Sequence, residues 1–181
     1  MSNADVFSID LRGVLHHRVS RGYGDLVTRP TGQAVRTGVE EELASNEADV
    51  AVIDFSGVRC MDYSCADEIV GKLLLAHGTA RYFMLRGVSD GQCEAIETVL
   101  ERYGLAVVIE DRSGRLRVLG AVADAVRKAF EHLVEYGAQG MSDAAGRLDL
   151  PPDAARAALD ELRDRRLALA RTPNREVVPL A

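Results

Sequence analysis

The stretch Val50-Ala-Val-Ile-Asp54-Phe-Ser-Gly57-Val-Arg-Cys-Met61-Asp62-Tyr63-Ser64-Cys-Ala-Asp67-Glu68-Ile-Val70 decides the fold. Its apolar opening, Val50 to Ile53, is short, mostly β-branched and closed by Asp and Gly, which reads as a buried strand. Further on, Ala66, Ile69, Val70, Leu73 and Leu74 recur at helical spacing and put one apolar stripe on a helix. Ser64 therefore stands at a helix start, just past the end of a strand. Backbone N–H groups lack partners there, and the helix dipole favours negative charge. A phosphate on Ser64 would be held by those groups without further machinery.

Outward from this segment, strands and helices alternate. Val6 to Leu15 reads as a first strand or hairpin arm, with Phe7, Ile9 and Leu11 alternating with polar residues. The Gly- and Arg-rich loop Ser20–Gly32, carrying Arg21 and Arg29, is either a solvated connection or a cover for an anion or partner. A helix opens near Thr31 with Val35, Val39 and Leu43. Strand 50–55, helix 65–77 and strand Tyr82 to Leu85 follow. Ser89 or Asp90 caps the next helix, and Gly104 stops it. Leu105 to Ile109 and Leu116 to Leu119 are strands separated by the turn Asp111–Gly114. The alternation predicts an α/β fold with a mixed or parallel sheet covered by helices.

At Gly120 the pattern changes. Val122, Val126, Ala129, Phe130 and Leu133 predict a long amphipathic helix. Ser142 is expected to cap a short helix, 143–148, and Pro151 or Pro152 to open a third. Leu167 to Arg171 and Glu176 to Leu180 read as a hairpin around Thr172–Arg175. Two units are expected, 1–119 and 120–181.

The motif Met61-Asp62-Tyr63-Ser64 resembles the STAS domain of anti-sigma factor antagonists, in which a strand leads to Met-Asp-Ser-Ser-Gly and the second Ser is phosphorylated by a partner kinase. Met61, Asp62 and Ser64 match; Tyr63 replaces the first Ser and Cys65 the Gly. The continuation Ser64-Cys-Ala-Asp67-Glu68 looks more like a divergent STAS-like branch. The resemblance implies a phospho-acceptor at Ser64, within a partner-binding surface formed with Asp62, Tyr63, Asp67 and Glu68. It also implies a protein partner of the kinase or anti-sigma factor-like ATPase kind. Three helices followed by a hairpin, with the wording Leu159-Asp-Glu-Leu162-Arg-Asp-Arg-Arg-Leu167, resemble a winged helix-turn-helix.

Composition narrows the function classes. The chain has 181 residues, of which 47% are hydrophobic, enough to bury a core. No apolar run reaches membrane-span length and no secretory signal is evident, so a cytoplasmic protein without membrane contact is expected. Cys60, Cys65 and Cys93 have neither disulfide nor zinc-like spacing, and no cofactor is expected. The net charge of −6 argues against general nucleic-acid binding.

Each candidate residue also has a plain structural reading. Ser64 reads as a helix cap, or Asp62 caps in its place. Asp62, Asp67 and Glu68 read as a solvated helix start. Cys65 is either a thiol of lowered pKa or a small packed side chain. Arg156, Arg163, Arg171 and Arg175 are the candidate DNA contacts. Residues 121–181 carry nine Lys/Arg against ten Asp/Glu, a poor balance for a phosphate binder. With no Gly-rich phosphate loop, nucleophile–base pair or metal triad in the sequence, a non-enzymatic signalling module with a winged-helix output is expected, with a homodimer among its open partner states. The alternative is a DNA-binding transcription regulator with the STAS-like part as sensor or dimeriser.

Overall fold

The computed structural model describes residues 4–20, 24–171 and 176–180. In chain order the elements are β1 (Val6–Asp10), α1 (Leu11–Arg18), β2 (Asp25–Leu26), α2 (Arg29–Ala44), β3 (Val50–Asp54), β4 (Cys60–Met61) and α3 (Tyr63–Ala66). A π-helical segment, Asp67–Lys72, runs directly into α4 (Leu73–His77). Then come β5 (Tyr82–Val88), α5 (Asp90–Tyr103), β6 (Ala106–Asp111), β7 (Leu116–Gly120) and α6 (Asp124–Tyr136). The chain closes with β8 (Gln139–Gly140), α7 (Met141–Arg147), α8 (Pro152–Asp164), β9 (Ala168–Arg171) and β10 (Glu176–Pro179).

The fold is mixed α/β around a mostly parallel five-stranded sheet of order β1-β3-β5-β6-β7, in which only β7 runs antiparallel to its neighbour. Each parallel crossover steps in the same direction. Right-handed connections therefore place α1, α2, α3–α4 and α5 on one face. Ile53, Phe55, Leu85 and Ile109 pack there against Val35, Val39, Ile69, Leu73, Ile96 and Leu100. The other strand positions, Val50, Val52, Met84, Val108 and Val118, face the opposite way and form a second core with Val126, Phe130, Leu133, Leu159 and Leu162. The segment after Gly120 thus covers the face that the crossover helices leave bare. Gly120 makes that turn at φ 105°, where a Cβ would lie 2.4 Å from the Leu105 carbonyl oxygen.

Several local expectations are corrected. The first strand does not continue as a hairpin arm. It ends at Asp10, whose carboxylate accepts from the Arg12 N–H (3.1 Å), and Leu11, Val14 and Leu15 form the buried stripe of a helix. Helix α2 opens at Arg29 rather than Thr31, with Thr28 as its cap. Helix α7 begins at Met141 with no side-chain cap, so Ser142 does not play that role. The capping box of Ser89 and Gln92 and the left-handed Gly104 stop match the reading of α5.

In the last segment, β8, β10 and β9 make a small antiparallel sheet in that order. The expected turn Thr172–Arg175 lies outside the described residues. Helix α8 ends in a Schellman motif: the Arg166 N–H donates to the Arg163 carbonyl (3.0 Å) and the Leu167 N–H to the Leu162 carbonyl (2.8 Å). Arg166 occupies the left-handed position of this motif, at φ 57°. For a residue with a Cβ that conformation costs about 1–2 kcal/mol. Among the described residues, no helix is long and apolar enough to cross a membrane.

Candidate functional site

Two short strands position the helix start. β2 pairs with β4 in parallel, and the Asp62 N–H donates to the Leu26 carbonyl (2.8 Å). Asp62 then caps α3. One carboxylate oxygen accepts from the Cys65 N–H (2.9 Å) and from the Ser64 hydroxyl (2.8 Å). Burial alone would raise the Asp62 pKa, but these bonds outweigh it and hold the group below the usual carboxylate range. The capping role left open between the two residues falls to Asp62. Ser64, at the second helical position, is half-buried. Tyr63 beside it is also half-buried, and its phenol oxygen accepts from Arg102 (3.1 Å).

Asp67 and Glu68 depart from the expectation of a solvated acidic helix start. Their side chains are 5% and 0% exposed, and cations surround them. One Arg29 nitrogen donates to Asp67 and to Glu68, each at 2.7 Å. Lys72 donates to the same Glu68 oxygen at 2.5 Å and lies 3.9 Å from Asp67. Arg36 stands 3.4 Å from the second Glu68 oxygen, and the Tyr103 hydroxyl donates to Asp67 at 2.7 Å. Burial opposes the ionised form of both acids. Hydrogen bonds from Arg29 and Tyr103 to Asp67, and from Lys72 and Arg29 to Glu68, prevail and lower both pKa values. The hydrogen bond to Asp67 in turn pushes the Tyr103 phenol up, so its proton stays in place.

Cys65 is buried, and burial pushes its thiol up to about 12. Its Sγ contacts the Thr28 carbonyl at 3.1 Å. A Cβ at Gly32 would come within 3.1 Å of the Cys65 Cα and the Glu68 Cβ, so α2 lies directly against this helix start. Cys65 is a packed side chain, not an activated thiol.

The sequence points to Ser64, Asp62, Tyr63, Asp67 and Glu68 as one surface. The structure keeps the first three at the surface and turns the last two inward as anchors for Arg29 and Lys72. Arg36, Lys72 and Tyr103 were not recognisable as members of this group. The four-residue spacing of Glu68 and Lys72 is the one local sign of it. Ser64 faces a carboxylate of lowered basicity, so an attack by its hydroxyl would need a base brought from elsewhere.

Arg156 is exposed on α8. Arg163 is engaged by Asp160 (3.1 Å) and Asp164 (3.0 Å) on its own helix. Arg171 ends β9, and Arg175 lies outside the described residues. Of the neighbouring arginines, Arg165 donates to the Ala121 (2.6 Å) and Gly104 (2.9 Å) carbonyls, tying α8 to the sheet. No protein-family model, curated protein or solved structure matches the chain.

Proposed function

We propose that the chain is a non-enzymatic, STAS-like protein-interaction switch whose acceptor is Ser64, with its last segment acting as a winged-helix output that contacts protein rather than DNA. One observation carries the reading: Ser64 is half-buried, not fully buried, at a helix start whose backbone N–H is capped by Asp62. The cap itself is Asp62, and Ser64 contributes one hydroxyl bond to that carboxylate, which modification of Ser64 would replace. The buried acids Asp67 and Glu68, paired with Arg29 and Lys72, support the same reading, because they fix the helix beneath that surface. A phosphate would add about −1.5 to −2 charges beside the Asp62 carboxylate. Repulsion and desolvation would then weaken a docked partner.

The order helix, strand, helix, helix, hairpin from α6 to β10 supports the winged-helix assignment. Protein contact is preferred over DNA because Arg163 is neutralised by neighbouring acids and Arg165 is committed to main-chain carbonyls. The test is partner capture from native cytosol by the wild-type chain, Ser64→Ala and Ser64→Asp, with mass spectrometry of the captured proteins and of Ser64. Both variants should keep the wild-type melting temperature, and Ser64→Asp should lose the partner that Ser64→Ala retains. Equal capture by the two variants would sink the switch.

A further inference from the structure

The two edges of the central sheet differ. On β7, Arg127 of α6 donates to the carbonyls of Val118 (2.5 Å) and Gly120 (2.7 Å), so that edge is capped by a cation. On β1 the edge is open. The Val50 N–H donates to the Asp5 carbonyl (3.1 Å), which sets the parity of the parallel ladder. The main chain of Phe7 and Ile9 turns to β3, and that of Val6 and Ser8 turns outward. Among the described residues, no hydrogen bond reaches the outward N–H and C=O groups of Val6 and Ser8.

The side chains of Val6 and Ser8 point to the sheet face that α6 and α8 cover elsewhere. Val50 and Val52, their partners in register, are buried, but Val6 is 60% exposed and Ser8 is exposed, so the cover stops at β3. The register runs from Val6 to Asp10 without a bulge, and no proline or lysine blunts the strand. Asp5 and Asp10 bracket it. Both are exposed, and neither has an ion pair among the described residues. Arg12, two residues beyond Asp10, lies instead against Gly57, where a Cβ would come within 2.7 Å of its Cβ and Cδ.

We infer that β1 is a docking edge for an extended, basic segment of a protein partner, which joins the sheet as a further strand. An extended strand is what satisfies N–H and C=O groups spaced two residues apart along one edge. Antiparallel pairing is the stronger mode and makes two hydrogen bonds at Val6 and two at Ser8. The acids select the charge of the partner. A second copy would bring Asp5 and Asp10 of both chains, each of net charge −6, to one seam. Cations spaced as the two acids are would meet both of them.

The test titrates the full chain, labelled with nitrogen-15, with the peptide Lys-Thr-Val-Thr-Val-Lys, acetylated and amidated at its ends. Paired antiparallel, its lysines meet Asp10 and Asp5, and its valines lie beside Ser8 and Val6. The Val6 and Ser8 amides should shift saturably in the millimolar range and exchange more slowly with solvent. The same peptide with glutamate in place of lysine, or N-methylated at both valines, should bind at least tenfold more weakly. Ser8→Pro removes an outward donor and leaves the bonds to β3 intact, as prolines on edge strands do. It should keep the melting temperature within a few degrees and weaken the peptide at least tenfold; should it unfold, the N-methylated peptide decides. Lack of saturation, equal binding of either control peptide, or unchanged binding by folded Ser8→Pro would each overturn the inference. A dimer in analytical ultracentrifugation that Ser8→Pro disrupts would also overturn it, by assigning the edge to a second copy.

Discussion

Glu68→Gln keeps the shape of the side chain and removes its charge, which isolates what the buried acid contributes. The wild-type carboxylate is fully buried and accepts two charge-assisted hydrogen bonds, from Arg29 at 2.7 Å and Lys72 at 2.5 Å. Bonds of that kind contribute about 1.5–3 kcal/mol each, and desolvating the carboxylate offsets several kcal/mol of the gain. The cations left behind are 28–42% exposed; Asp67 remains for Arg29 and Lys72, and Arg36 keeps Glu40 at 3.6 Å. The net loss in the variant should be about 1–3 kcal/mol at neutral pH. With a urea slope of about 2 kcal/mol/M, the midpoint should fall by about 1 M.

The pH dependence fixes the sign of this effect. Glu68 has a lowered folded-state pKa, so its contribution is present above the ordinary glutamate range and is lost as pH falls through the folded value. The gap between wild type and Glu68→Gln should therefore close in acid. Urea titrations followed by circular dichroism from pH 7 downward would measure it. A variant as stable as wild type at pH 7 would mean that desolvation outweighs pairing, and a gap that persists in acid would refute the charge argument.

Three further outcomes are expected. Gly71→Ala should destabilise by about 1–2 kcal/mol despite alanine's better helix propensity, because overpacking costs more than the propensity gain. Its Cβ would lie 2.5 Å from Val99 and 2.9 Å from Tyr103, and thermal melting checks it. Under native conditions a thiol reagent at pH 8 should modify Cys60, which is exposed, and leave Cys65 and Cys93 untouched until urea is added. Peptide mapping would show the order, and early labelling of Cys65 would contradict its raised pKa. Truncation at Leu119 should yield an aggregating fragment, seen by size-exclusion chromatography. It uncovers Val50, Val52, Met84, Val108 and Val118, each at most 4% exposed in the whole chain. At about 2 kcal/mol per side chain the loss is roughly 10 kcal/mol, comparable with a domain's total stability.

The sheet was legible because each buried strand carries its own signal: Val50 to Ile53 and Tyr82 to Leu85 are apolar runs with turn residues beside them. The first helix was not. Leu11 fits both the two-residue period that begins at Phe7 and the helical period that continues to Val14 and Leu15, and only the Asp10 cap separates them. β8 is two residues long and owes its existence to β10, which no local pattern reveals. The site divided in the same way. Ser64 at a helix start follows from the strand–helix junction. The burial of Asp67 and Glu68 depends on Arg29 and Tyr103, 36 to 39 residues distant in the chain, and single-segment reasoning places isolated acids in water.

The strand order also sets what a signal at Ser64 would have to cross. Ser64 lies on the helical face of the sheet, and α6 and α8 lie on the other. A line of hydrogen bonds connects them: Asp62 to Ser64 at the helix start, Asp67 to Tyr103 at the end of α5, and Arg165 of α8 to the carbonyl of Gly104, the residue after Tyr103. Adjacency alone does not demonstrate coupling; a double-mutant cycle of Tyr103→Phe with Arg165→Met measures it. Tyr103→Phe removes the Asp67 bond and Arg165→Met removes the bonds to Gly104 and Ala121, while both keep most of the apolar volume. If the end of α5 is one mechanical unit, the two losses should fail to add, with an interaction energy above about 0.5 kcal/mol. Additive losses in urea titrations would show that the two faces respond independently, and a Ser64 switch would then need another route to the last segment.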